Sequence, residues 1–587
     1  FPAKMPSSSG IKSTSDDNHI TTINLHLDNE VERKVDLTSI HEQLTPLSTS
    51  EKATFANNTN AFQKFTDFLK SVSQRVEKLG VVETTGIQRV PPYARGTKKQ
   101  QLIQVTGFWI SASGGLSSMS SFFLGPLLFG LSFKQSLLSG LVSCFVGCIV
   151  AAYCAMMGPQ SGCRQMVTAR YLFGWWLVKF VALVAIIGVL GWSVTNCVVG
   201  GEMLASISNE KIPLWVGVII VSIVSIFVAI FGIKQVLKVE MYFSVPVMTV
   251  FTLLYICASD KYHLINDYQP PAGTSMKGAW LSFFSICYSV TSTWGSITAD
   301  YYILFPEDTP KSQIFMLTLW GIMIPTTYVG VLALLLASSA MSYEPWLDEY
   351  NDFGMGGLLA AGFSRWGGFG KFCIVILLLS LISNNIVNTY SAAFGIQLSS
   401  VRMAKIPRWF WAIVVTAIYL VAALVGRNHF STILSNFLPM IGYWISIYFA
   451  ILLEENVIFR KHFLYLYTKE FPNLISTQST SSPSSSTLSS VASMQNNNRQ
   501  DKSFKFKKIR YNWDAWNDYS VLTRGYAAFV AFLFGAAAVA VSMSQTYWIG
   551  PIAKKLDEGD IAMWLSMGVS GLVYPLLRYW ELKKFGR

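Results

Sequence analysis

The sequence predicts an all-α integral membrane protein with twelve transmembrane helices, and three observations carry that reading. Hydrophobic residues fill 52% of the 587 positions and charged residues only 13%, too few charges to cover a soluble chain of this length. Runs of about 18 or more apolar residues recur from Trp109 onward, the length that crosses a bilayer as a helix. Lys and Arg collect in alternate short loops, among them Arg95, Lys98, Lys99, Arg164, Arg170, Lys234, Lys238, Arg402, Lys405 and Arg408, which predicts that these loops and both termini are cytoplasmic.

Residues 1–100 are rich in Ser, Thr, Asn, Asp and Lys, lack a signal-peptide pattern, and read as a disordered cytoplasmic tail with one short amphipathic helix near Phe62–Leu79. The Asn57-Asn58-Thr59 sequon then faces the wrong compartment for glycosylation. Residues 101–455 hold spans 1 to 10, at 107–131, 134–158, 174–205, 213–233, 240–258, 278–305, 312–340, 370–400, 407–427 and 431–453. Residues 456–520 read as a cytoplasmic loop with a Ser-rich stretch, Ser476–Asn498, and a basic run, Lys502–Arg510, a flexible linker that is solvated or rests on anionic headgroups. Residues 521–587 hold spans 11 and 12, at 522–548 and 561–580, and a short tail.

Composition also excludes several functions. The net charge of +12 is the cytoplasmic Lys/Arg bias, and the aromatic residues sit in apolar spans rather than among basic clusters, so nucleic acid is not a partner. Seven of the eight cysteines fall in apolar spans and Cys163 lies at a span edge, as small buried residues do. Cys144 and Cys148 are one turn apart, but no His or further Cys completes a metal site. No phosphate-cradling loop, nucleophile elbow or large cytosolic domain is present, which argues against an enzyme or an ATP-driven pump. A secondary transporter, a channel and a non-transporting receptor remain.

Span 8 separates these classes. Between Cys373 and Gln397 it carries Asn384, Asn385 and Asn388, and burying an unpaired amide in hydrocarbon costs about 2–7 kcal/mol. Ser380, Asn384, Asn388 and Ser391 form one polar stripe, suited to a helix that faces a site. In span 1, Ser111-Ala112-Ser113-Gly114-Gly115-Leu116-Ser117-Ser118 is small and polar at mid-membrane, and its glycines predict an unwound segment with Ser113 and Ser117 beside it. Span 6 repeats the theme with Thr293-Trp294-Gly295-Ser296, at the matching position of a five-plus-five inverted repeat. Span 3 adds Trp192 and Asn196 on one helix face. Two indoles and several amides suit a flat heterocycle, stacked by the rings and bonded at its edges. All six histidines lie outside the spans, so a proton path within the membrane needs carboxylates or water.

The phrases Leu124-Gly125-Pro126, Arg164-Gln165-Met166, Gly191-Trp192-Ser193-Val194-Thr195-Asn196, Thr298-Ala299-Asp300-Tyr301, Asn384-Asn385-Ile386-Val387-Asn388 and Gln545-Thr546-Tyr547-Trp548 make the chain resemble the fungal purine-cytosine permeases of the nucleobase:cation symporter 1 family, over roughly residues 85–587. The resemblance implies the leucine-transporter-like fold, ten spans of inverted repeat plus two, in the plasma membrane. It implies a substrate held between Trp192 and Trp294 and bonded by Asn196 and Asn384, with Asn388 in the same wall. It implies the proton as coupling ion, without other cofactor, with Glu240, Asp300 and Glu202 as candidate carriers. Family habit adds ubiquitin ligase machinery as a partner of the cytoplasmic tails. The implied activity is alternating-access import of cytosine or a purine base. Ser113 stands where the permeases have Asn, Gly295 where a hydroxyl residue is usual, and Val387 where Pro precedes the last asparagine. A branch of the same family carries vitamin B6, another planar, polar-edged ring, and is the alternative reading.

Overall fold

The computed structural model describes residues 63–72, 86–230, 233–268, 270, 276–472 and 510–587. Most of the predicted tail, the sequon, the Ser-rich stretch 476–498 and the basic run as far as residue 509 lie outside the described residues. Residues 63–72 are helical, within the stretch read as an amphipathic helix.

In the body from Phe65 to Arg587 the chain is helical almost throughout, and we number the main helices in order. They are α1 Lys98–Ser113, α2 Leu116–Leu127, α3 Phe133–Ala155, α4 Arg170–Ser208, α5 Leu214–Ala229, α6 Ile233–Cys257 and α7 Met276–Ser292. There follow α8 Lys311–Ala340, α9 Glu344–Phe363, α10 Gly367–Ser399, α11 Arg408–Gly426, α12 Phe430–Glu454, α13 Tyr526–Ser542 and α14 Ala562–Phe585. Among the described residues seven helical stretches are long and apolar enough to cross a bilayer, and α5 and α13 are shorter apolar helices. The outward faces of α5 and α10 expose Ile223, Phe227, Phe369 and Phe372, apolar surface that belongs against lipid.

Span 1 is two helices. Gly115 is extended (φ −107°, ψ 179°) between α1 and α2, and the freed Leu116 N–H donates to Ser380 Oγ of α10 at 3.1 Å. A Cβ on Gly115 would sit 3.1 Å from the Ser380 Cβ, so the break needs glycine for close packing as well as for flexibility. Span 6 is broken too: α7 ends at Ser292 and continues as two 3-10 turns, Thr293–Ser296 and Thr298–Tyr301, on either side of a non-helical Ile297. Both interruptions fall where the small polar phrases predict them.

Two elements differ from the sequence reading. α9 lies between spans 7 and 8, where a loop was expected, because Glu344, Asp348, Glu349 and Asp352 hide a helix that kinks at Phe353–Gly354. Span 11 was expected to reach residue 548, but α13 stops at Ser542 and a two-stranded hairpin follows, β1 Ser544–Gln545 against β2 Trp548–Ile549. The sequence 544–548 carries Ser, Gln and Thr with two aromatic residues, a composition that suits a hairpin at the membrane edge better than a helix end.

α10 is the central helix. Buried residues occur along it from Gly370 to Leu398, and it packs against α4, α5, α6 and α11. α3 packs on α7 and α8, while α13 and α14 pair with each other beside α12.

Candidate functional site

At the breaks in spans 1 and 6 lies a small cavity. Its walls come from α2 (Ser117, Ser118), α4 (Gly188, Trp192), the span 6 break (Thr293, Trp294, Ser296), α10 (Asn384, Asn388) and α12 (Ile441, Trp444). Trp192 and Trp294 are 8% and 7% exposed, and no ring contact joins them. Trp294 is fixed from behind by Trp109, edge-on at 5.3 Å, and by Phe108 at 6.1 Å. The Trp109 indole N–H in turn donates to Tyr302 Oη at 2.9 Å. Two further rings thus brace the Trp294 indole against the protein body.

The polar wall is one connected chain of amides. Asn196 donates through Nδ2 to Asn384 Oδ1 at 2.9 Å and to Asn385 Oδ1 at 3.0 Å, and accepts from Ser117 Oγ at 2.5 Å. Asn388 donates to Asn384 Oδ1 at 3.0 Å, and Asn384 Nδ2 donates to the Ala112 carbonyl at 3.3 Å, beside the break in span 1. Asn385 closes the chain by donating to Cys197 Sγ at 3.2 Å. Hydrogen bonding of this kind offsets the burial penalty of the amides and ties α2, α4 and α10 together at one level. Asn196 is fully buried behind the lining, so it orients Asn384 and does not itself face the cavity.

Two further predicted site residues lie off the cavity. Gly295 points the other way: a Cβ there would meet Cys154 Sγ at 3.3 Å and Ile445 at 3.4 Å, on α3 and α12. Ser113 is buried at the end of α1, its hydroxyl without a partner and its carbonyl accepting from Thr326 Oγ1 at 3.2 Å. Trp444, Ser118, Thr293 and Ser296 line the cavity in addition to the predicted set. The hydroxyls belong to phrases already marked as small and polar. Trp444 sits in an apolar helix that gives no such signal, and its indole N–H is buried with no acceptor.

The three candidate carboxylates occupy different places. Glu240 is fully buried on α6; it accepts from the Ser383 hydroxyl, which is 2.9 Å from Ser111 Oγ, and its other oxygen has no partner. This puts a half-satisfied carboxyl one residue from Asn384 on α10 and close to the broken end of α1. Asp300 accepts from the Gln165 backbone N–H at 2.7 Å and lines a second cavity, of about 410 Å³, on the other side of Ser296 and Ile297. Glu202 is remote from both: it accepts from Met355 N at 3.1 Å and packs on Gly354, whose left-handed φ of 58° makes the kink of α9. Its surroundings are those of a helix-turn brace.

Gln165 Oε1 accepts from Ala299 N at 3.1 Å and Gln165 Nε2 donates to Tyr448 Oη at 2.9 Å, which joins the second 3-10 turn to α12. Arg164 donates to Tyr390 Oη at 2.8 Å and lies 3.3 Å over the Phe394 ring, and Tyr301 Oη is 3.0 Å from Ser391 Oγ.

Residues 92–470 match the family model for permeases for cytosine/purines, uracil, thiamine and allantoin. Over 524 residues the chain is 64% identical to the vitamin B6 transporter TPN1 of Saccharomyces cerevisiae, which covers 88% of this chain and 90% of the relative. It is 31% identical over 510 residues to the purine-cytosine permease fcyB of Emericella nidulans, which covers 86% of this chain and 90% of that one. Among solved structures, the nucleobase-cation-symport-1 transporter Mhp1, in a closed conformation with bromovinylhydantoin bound, superposes with a TM-score of 0.59 at 11% identity, covering 86% of this chain and 96% of that one.

Proposed function

The chain belongs to the family of permeases for cytosine/purines, uracil, thiamine and allantoin, and we propose that within it the chain is a proton-coupled importer of vitamin B6, pyridoxine first. It is a membrane transporter of a small-molecule class and not an enzyme. The carrying observation is the 64% identity to a vitamin B6 transporter across 88% of the chain, against 31% to a purine-cytosine permease. This reverses the order of substrates that the sequence phrases suggest. Nucleobase import is the second reading, favoured by the 31% identity to a purine-cytosine permease over 86% of the chain.

The cavity geometry supports a planar ring. Trp192 and Trp294 offer two indole faces, and Asn384, Asn388, Ser117 and the Trp444 N–H offer donors and acceptors at the rim, the set needed for a ring nitrogen and several hydroxyls. The departures at Ser113, Gly295 and Val387 all lie behind the lining, so they act on the shape of the wall and not on direct contacts. A hydroxyl side chain at 295 presses towards Cys154 and Ile445, and a proline at 387 alters the pitch of α10 one residue before Asn388.

In this reading the twelve spans form an inverted repeat of ten plus two, with both termini cytoplasmic in the plasma membrane. Alternating access rocks the spans broken at Gly114–Gly115 and at Ile297 against α4 and α10. Glu240 carries the proton: the carboxyl has one open oxygen, and Ser383, its hydrogen-bond partner, precedes Asn384 in α10, so loading and ligand seating share one helix turn. Asp300, which lines the lower cavity, is the second carrier candidate.

The test is uptake of radiolabelled pyridoxine, cytosine and adenine by transport-deficient yeast expressing the chain, with and without a protonophore. Protonophore-sensitive accumulation of pyridoxine supports the proposal. Accumulation of cytosine or adenine in its place moves the chain to the nucleobase reading, and binding without accumulation makes it a receptor. Glu240→Gln is expected to abolish accumulation while leaving exchange of internal for external substrate. Unchanged protonophore sensitivity in that variant removes Glu240 from coupling.

A further inference from the structure

A larger cleft, of about 1410 Å³, lies at the cytoplasmic ends of α4, α10 and α11, apart from the substrate cavity. Five cations line it, Lys70, Arg170, Lys179, Lys405 and Arg408, and no acidic residue does so among the described residues. The indoles of Trp175, Trp409 and Trp516 complete its walls. The positive-inside rule accounts for cations on this face but not for their convergence on one recess. Nor does it account for Arg170, which is 3% exposed. One terminal nitrogen of Arg170 donates to the Trp516 carbonyl at 3.3 Å and to Asn517 Oδ1 at 3.0 Å, and its guanidinium lies 4.5 Å from the Trp175 ring. Its Nε–H has no acceptor, although it lies in the cleft wall. Arg408 is committed to the Ala229 and Ile230 carbonyls, at 2.7 and 2.6 Å, and Lys70 lies 3.9 Å from Asp67, so Arg170, Lys179 and Lys405 are the cations best placed to donate to an anion in the cleft.

We propose that this cleft binds a phosphate-bearing anion, a phosphomonoester seated on Arg170, Lys179 and Lys405 with the indoles flanking whatever carries it. A phosphate oxygen supplies the acceptor that Arg170 Nε lacks, and charge-assisted bonds of this type are about twice as strong as neutral ones. The carrier of the phosphate is either an inner-leaflet lipid or a soluble phosphorylated heterocycle. The cleft shares Ile87 and Leu398 with the cavity below the substrate site, so an occupant braces the wall common to both and slows release. The anion site stands independently of which ring the carrier imports.

The experiment uses the purified full chain in two arms. One measures binding of pyridoxine 5′-phosphate, which lacks the aldehyde that would label lysines. The other compares thermal stability in nanodiscs of phosphatidylcholine alone and with phosphatidylinositol 4-phosphate. The Lys179→Gln/Lys405→Gln double variant, which leaves the Arg170 packing intact, is expected to weaken whichever response appears about tenfold or more. Trp192→Ala is expected to leave it unchanged. Response to the soluble ester identifies a metabolite site, and response to the lipid alone identifies a headgroup site. No response in either arm, or a response that the double variant keeps in full, overturns the proposal.

Discussion

Two buried polar networks sit in this molecule, and they are built on opposite plans. The amide chain of Asn196, Asn384, Asn385 and Asn388 carries no formal charge, borders a cavity, and has unsatisfied neighbours in Trp444 Nε1, Ser113 Oγ and Glu240 Oε1. The second network, at the end of α12, is ionic and saturated. Glu455 accepts from Arg460 Nε at 3.0 Å, Tyr467 Oη at 2.7 Å, Tyr574 Oη at 2.8 Å and Arg578 Nε at 3.1 Å. Arg460 also donates to Glu470 at 2.6 Å, and Arg578 to Glu581 at 3.3 Å. Every member is buried and none lines the cavities at the site. The difference is one of completeness: the neutral network borders a void and has donors and acceptors left over beside it, whereas the ionic one is closed on itself and joins elements. The ionic network clamps α12, α14 and the loop segments around Glu470 and Arg510 into one unit.

The largest effect is expected from breaking the closed network. Arg578→Leu leaves Glu455 underpaired, and losing one partner of a buried pair costs about 3–5 kcal/mol. A large fall in the temperature at which the purified protein loses monodispersity should follow, while the KM of the surviving fraction holds. A changed KM with normal stability would join the two networks. Trp192→Ala should reverse that pattern, with folding retained and affinity weakened by about 1–3 kcal/mol, by analogy with base–aromatic stacking; uptake kinetics of a correctly trafficked variant check it. Asn384→Ala should separate ligands by the groups on their edges, by about 1–3 kcal/mol where a polar edge is left unpaired. An equal loss for pyridoxine, pyridoxal and pyridoxamine, with poor surface expression, would place Asn384 with the folding residues. The smallest change is expected for Trp444→Phe, which keeps a ring and removes one donor, about 0.5–1.5 kcal/mol in affinity if the indole N–H meets the ligand.

Much of the open network was legible in the sequence, because amides, glycine pairs and hydroxyls inside apolar spans are each expensive without a reason. That logic located the breaks of spans 1 and 6 and the polar face of α10. It did not separate lining from support: Asn196 and Asn384 look alike in sequence, yet one orients the other from behind. Trp444 was invisible because an indole in an apolar helix is equally at home against lipid, in packing or in a cavity. The closed network was illegible for another reason. Glu455 and Arg578 are 123 residues apart, each near a span end where a charge is ordinarily hydrated, and only the fold brings them together. α9 was missed because its acidic first turns lower its hydropathy below that of a span.

The most direct test of the account is a structure of the full chain determined at saturating pyridoxine. The account predicts ring density between Trp192 and Trp294, with a polar edge within hydrogen-bond distance of Asn384. A cavity still empty at saturation, with pyridoxine bound elsewhere or displaced by cytosine, would contradict it.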